Sequence, residues 1–231
     1  MSLDTLPVYR GLRVPRVARW SAEQDITPRV YLQGGRLVYR DPDLTRVSTQ
    51  QGALWRVWSL APGKGVPLLA NLHPARQRRM MVRSLCQVCG LSTATEAAAE
   101  GGQLVLTGSG EVAGRGPIEE QERTMNPPLH LACAWESVRR CPHLLEGYAA
   151  ARVTDARPWG LHGILHAPEG RRTAAGDLAV ALVSPAQIAY EDSRLPLVLA
   201  GQTILELTGV RPVDLRVEAA RAGLDGAEAG R

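Results

Sequence analysis

The chain has 231 residues, of which 45% are hydrophobic and 22% charged, and carries a net charge of +4. That length and balance exclude global disorder and allow one domain with a core, or two small ones. No apolar run nears the roughly 20 residues needed to span a bilayer, and Met1–Arg10 lacks a charged head followed by an apolar run, so neither a membrane span nor a secretory signal is expected. Along the N-terminal part, Pro7, Pro15, Pro28, Pro42 and Pro62 argue against long helices before residue 70. Arg29–Leu32 and Arg36–Arg40 alternate around Gly34-Gly35, which predicts a hairpin. Leu54–Leu60 reads as a third strand, and Ala61–Gly65 as a turn whose glycines and Lys64 lack P-loop spacing. Pro74–Leu85 predicts a helix, capped by Asn71 or His73, with Arg76, Arg79 and Arg83 on one face and Met81 and Leu85 on another. The following spacer holds an Ala/Glu stretch at Glu96–Glu100, a short strand at Gln103–Leu106 and a glycine-rich run at Gly108–Gly116. It reads as a hairpin with irregular loops, and Gly108-Ser109-Gly110 lacks the strand–loop–helix setting of a nucleotide loop. Leu129–Arg140 predicts a helix with Leu131, Trp135 and Val138 as its apolar stripe, stopped by Pro142. Further on, Ala179–Val183 and Ile188–Tyr190 read as strands separated by Ser184-Pro185. A helix is expected over Leu195–Leu207, capped by Asp192 or Ser193 and ended by Gly209. Val213–Val217 reads as a last strand.

These expectations amount to an α+β fold. It has a β-rich N-terminal part (1–71), a zinc-binding module (72–147), an α/β C-terminal part (148–217) and a frayed tail (218–231). Charge is uneven along it. Residues 1–85 hold 14 basic and 5 acidic side chains, +9; residues 86–147 sum to −4 and residues 148–231 to −1. The basic N-terminal part suits a nucleic acid or an acidic partner. Of the 27 basic residues all but Lys64 are arginine, which also fits the codon bias of a GC-rich genome. There is no Phe, and the one close approach to an aromatic–arginine stacking surface is Trp55-Arg56-Trp58, which reads more simply as a strand with both faces partly covered.

The four cysteines, in a chain with no export signal, point to metal or thiol chemistry in a cytoplasmic setting rather than to disulfides. In Cys86-Gln87-Val88-Cys89-Gly90 two thiolates two residues apart reach one ion, and Gly90 permits the tight bend. One such pair also suits a redox site. A second pair, His130-Leu131-Ala132-Cys133, offers a nitrogen and a sulfur from one face of a helix's first turn. A knuckle, a hairpin and ligands from a helix start make a treble-clef, zinc-finger-like arrangement. Zn2+ on Cys86, Cys89, His130 and Cys133 is therefore expected, as a structural ion, because four protein ligands leave no position for water. Cys141-Pro142-His143 is the rival source of a ligand. Cys133 and Cys141 would lie roughly 12 Å apart along an unbroken helix. Cys141 then reads as a buried thiol and His143 as a helix-end residue.

The knuckle after Arg76-Gln77-Arg78-Arg79, the Pro127-Pro128-Leu129 lead into Cys133, and Cys141-Pro142-His143-Leu144 together resemble a family of uncharacterised actinobacterial proteins, over most of the chain. In that family the second pair is commonly two cysteines, and His130 stands here in place of the first. The resemblance implies the metal site and a GC-rich origin. It implies no substrate and no catalytic residue.

Enzyme readings are weaker. An HNH-type nuclease would draw on Asn126, His130 and His143, but zinc already claims His130. A zinc deaminase needs H-x-E, and His166-Ala167-Pro168-Glu169 has one residue too many. A Cys141–His143 nucleophile pair straddles a proline, and no serine elbow is present. His162 and His166 would share one side of a strand and read as a surface pair. The expected function is thus non-enzymatic: a cytoplasmic, zinc-stabilised protein that binds a macromolecule, nucleic acid through Arg76, Arg79 and Arg83, or another protein as an adaptor.

Overall fold

The computed structural model describes residues 6–108, 116–174 and 176–224. In chain order the elements are β1 (Val8–Tyr9), β2 (Leu12–Arg13), β3 (Ala18–Trp20), β4 (Val30–Gln33), β5 (Arg36–Tyr39), α1 (Pro42–Ser48), β6 (Thr49–Gln50), β7 (Ala53–Trp55) and β8 (Pro67–Leu72). There follow α2 (Pro74–Val82), α3 (Ala94–Glu100), β9 (Gln103–Gly108), β10 (Arg123–Thr124), α4 (Leu131–Arg140) and α5 (Pro142–Leu145). The chain continues with β11 (Tyr148–Arg172), β12 (Leu178–Ala189), a 3-10 turn at Leu195–Leu197, β13 (Val198–Pro212) and α6 (Leu215–Arg221). Helices and strands are both present, and no described helix is long and apolar enough to cross a membrane.

Contacts divide the chain into two units. The first is Met1–Ala18, Pro67–Arg157 and Leu205–Arg231; the second is Arg19–Val66 and Pro158–Ile204. This differs from a division in sequence order at 71/72 and 147/148, because β11 and β13 each contribute residues to both units.

In the second unit the strand order is β5-β4-β12-β11-β13-β7-β6. The expected hairpin is β4–β5, with Gln33 opposite Arg36 and positive φ at both Gly34 (55°) and Gly35 (76°), the geometry of a two-residue I′ turn. The next helix, α1, was not expected. Asp41 caps it, accepting from Asp43 and Leu44 N–H, and Pro42 sits in its first turn. The strand expected over Leu54–Leu60 is only β7, and Trp58 makes an isolated bridge to Asp25. Of the C-terminal readings, one is amended and one fails. Both segments read as strands, Ala179–Val183 and Ile188–Tyr190 as far as Ala189, lie on one strand, β12, which runs through Ser184-Pro185 with an extra residue where the register shifts opposite Leu165/His166. Pro185 faces Ile164 on a strand whose other edge is paired only at Leu178, so its missing N–H costs little. The helix expected over Leu195–Leu207 is the short 3-10 turn followed by β13. Both faces of the sheet are covered there. Val198 and Ala200 join Trp55, Leu161 and Ile188 in one core, while Leu199 joins Leu37, Tyr39 and Leu54 in another. A strand buried on two sides shows no polar alternation, and a Leu-rich run then mimics a helix.

In the first unit β9 pairs antiparallel with Tyr148–Val153 of β11, and β10 pairs with Leu205–Glu206 of β13. Among the described residues the spacer's two strands therefore pair with β11 and β13 and not with each other, and its Ala/Glu stretch is α3, ended by Gly101 in the left-handed region. Of the glycine-rich run, residues 109–115, Ser109 and Gly110 among them, lie outside the described residues. Strand β9 is also covered on both faces: Leu104 and Leu106 enter the core around the cysteines, and Val105 packs with Ala151, Val153 and Leu207. The C-terminal strand expected over Val213–Val217 is instead α6, capped by Asp214. The tail expected to fray from Glu218 is held as far as Leu224: Leu215 and Ala219 are fully buried, and Leu224 packs on the same core.

Candidate metal centre

Helix α2 ends at Val82, three residues short of the expected Leu85. Arg83 and the positive φ of Ser84 (48°) turn the chain into the first cysteine pair. Cys86 N–H donates to the Leu91 carbonyl (2.8 Å) and Gly90 N–H to the Cys86 carbonyl (2.8 Å). Gly90 has φ 74°, which a side chain disfavours. Inside this knuckle Cys89 N–H donates to the Cys86 sulfur and Leu91 N–H to the Cys89 sulfur.

The second pair reaches the knuckle through backbone. Gln87 N–H donates to the Pro128 carbonyl (3.0 Å), and Leu129 N–H to the Leu104 carbonyl (2.9 Å). Then α4 starts with His130 as N-cap, so His130 and Cys133 leave the same turn. The outcome is one group: the ligand atoms of Cys86, Cys89, His130 and Cys133 all lie within 4.8 Å of one another. A tetrahedral ion with about 2.3 Å metal–sulfur bonds places its sulfurs about 3.8 Å apart, close to this spacing. These four side chains are close enough to hold a metal ion.

The imidazole is oriented for the task. Its Nδ1 lies 3.3 Å from the Cys89 sulfur, and its Nε2 lies 3.0 Å from the Ser92 carbonyl. A carbonyl oxygen only accepts, so Nε2 carries a hydrogen and donates to Ser92, which leaves Nδ1 as the nitrogen facing the thiols. The three cysteines are buried in the core of this unit, and His130 is half-buried. Hydrogen bonds from Cys133 and Cys89 hold the Cys86 thiol far below its ordinary range, and the Cys86 thiolate, then burial, pushes Cys89 and Cys133 up. The His130 pKa is raised, first by its bond to Cys86. A cation bound among the three sulfurs would let them be thiolates together.

No protein-family model, no curated protein and no solved structure matches this chain.

Other sequence-predicted residues fall as follows. Cys141 caps the C-terminus of the unbroken α4, is half-buried rather than buried, and stands outside the group. His143 is exposed on α5. His162 and His166 lie on β11, but His166 is buried and not on the surface, with Nδ1–H donating to the Ile164 carbonyl at 3.0 Å. Of the arginine stripe, Arg76 turns inward and donates to the Ala18 carbonyl at 2.6 Å, Arg79 is exposed on the helix, and Arg83 is exposed just past its end. Sequence reasoning missed Glu96, whose carboxylate accepts from Leu131 N–H at 2.9 and 3.1 Å, and its ion-pair partner Arg152. The available signal for Arg152 was one charge inside the apolar run Tyr148–Val153.

Proposed function

We propose that the protein is a zinc-stabilised, non-enzymatic macromolecule-binding protein. Its Zn2+ is structural, and its binding face is arginine-rich and meets nucleic acid. The observation that carries the metal half is the donor set: three sulfurs and one oriented imidazole, closed around one point within the core. Sulfur-rich four-coordinate sites favour zinc, and four protein ligands leave no place for a reacting water. The knuckle and the start of α4 serve as the two metal-holding halves of a treble-clef-like module, with strands paired elsewhere in place of its hairpin. Cysteines used as thiolate ligands suit a reducing, cytoplasmic compartment.

The nucleic-acid half is supported by the +9 charge of residues 1–85 and by where basic groups surround the knuckle. Arg79 and Arg83 are exposed before it. The Arg16 backbone N–H donates to the Val88 carbonyl (2.9 Å), and its stem lies over Gly90. Phosphate contacts from such a face release counterions, so affinity falls steeply with salt. An Arg79→Ala, Arg83→Ala pair is expected to flatten the salt slope by about two units, one per lost phosphate contact. Absence of binding to DNA and RNA at low salt overturns this half. It would leave the adaptor reading, which exposed Val82 and Leu91, bracketing the knuckle in sequence, favour. The metal half is tested by zinc content: one equivalent in the parent and in Cys141→Ala, and loss in Cys89→Ser and His130→Ala.

A further inference from the structure

The first turn of a helix presents N–H groups with no partner inside the helix. At α4 the N-cap is His130, which makes no side-chain capping bond because its imidazole is turned toward the thiols. The capping carboxylate comes instead from α3. Both oxygens of Glu96 accept from Leu131 N–H, the first residue after His130. An anionic group there also meets the positive end of the helix dipole.

Glu96 is itself held. Arg152 of β11, its side chain 1% exposed, donates from Nη1 to Glu96 Oε1 (3.2 Å) and to the Gly102 carbonyl (3.4 Å). The same guanidinium donates from Nη2 and Nε to Glu218 Oε2 of α6, at 2.8 and 3.2 Å. An unbroken line of charge-assisted bonds therefore runs from α6 through β11 to the turn that carries His130 and Cys133.

We infer that Glu96 is a positioning residue for the metal centre, set in place by Arg152 and Glu218. It touches no ligand atom. It fixes where the first turn of α4 stands, and so where two of the four ligands stand relative to the knuckle. The inference rests on the metal reading above and is independent of what the arginine face binds.

A merely structural network would lower stability without changing how tightly the folded protein holds metal. The deciding readouts are therefore the zinc dissociation constant, by chelator competition on the full chain, and the absorption spectrum of the cobalt(II) form. Glu96→Ala is expected to weaken zinc 10–100-fold, the usual effect of losing such a supporting contact, and to alter the cobalt bands. Glu96→Gln keeps an oxygen for Leu131 N–H and should fall between parent and Glu96→Ala. A folded Glu96→Ala with parent affinity overturns the inference. If Glu96→Ala does not fold, Glu218→Gln decides, since it leaves the Leu131 contact intact: a loss of about threefold or more supports the line of bonds, and parent affinity overturns it. A parent protein that binds neither zinc nor cobalt overturns the metal reading instead.

Discussion

Arg152 shows how one side chain concentrates energetic risk. Its guanidinium is buried between Glu96 and Glu218, and all three charges depend on one another. Arg152→Leu strands two carboxylates in a poorly solvated site and is expected to cost about 3–5 kcal/mol, read from urea unfolding of the zinc-loaded protein. His166 carries a pH signature. Burial lowers its pKa, only partly offset by its bond to the Ile164 carbonyl. The unfolded chain therefore takes up a proton at a higher pH than the folded one. Stability is expected to fall as pH drops below about 6.5, through the window down to the lowered folded value, and to be free of this term above it. His166→Asn should remove that part of the slope between urea midpoints measured at pH 7.5 and pH 5. At this scale the group that could hold a metal was legible, because Cys86/Cys89 and His130/Cys133 each meet within one turn of chain. Glu96 and Arg152 were not, because each acquires its meaning from a partner far off in sequence.

Two elements defined by local chemistry matched their sequence signals. The β4–β5 hairpin follows from Gly34-Gly35, and α4 follows from its apolar stripe and the proline after it. Strand β13 did not, since cores on both faces erase the alternation that marks a strand. The strand expected over Val213–Val217 gives way to helix α6, which begins at Leu215 with Asp214 as its cap. The long strands also demand small residues where they approach closely. A Cβ on Gly163 of β11 would collide with the Leu199 carbonyl and stand 2.9 Å from the Ala200 Cα of β13. Gly163→Ala is expected to destabilise by about 1–3 kcal/mol through overpacking against backbone, measured by the shift of the urea midpoint.

At the scale of the molecule, the four candidate ligands all fall in one unit, the one containing residues 67–157. The cysteines are part of that unit's core, so an ion held there and the packing of Leu104, Leu129 and Leu215 would support each other. Chelation at neutral pH is expected to strip hydrogen-exchange protection from the knuckle and α4, while β4, β5 and β12 exchange at the rates of the zinc-loaded protein. Equal loss throughout would mean that the centre governs the entire fold. The discontinuous division into units was invisible in the sequence, because it depends on β11 and β13 each serving two cores. What the sequence by itself determined were the four candidate ligands and the Gly34-Gly35 turn, set by residue types a few positions apart. The tertiary structure alone decided whether Leu195–Leu207 is helix or strand, which carboxylates Arg152 holds, and that Arg76 turns away from the surface. Each of those depends on which distant segment covers a given face, and no local spacing records that.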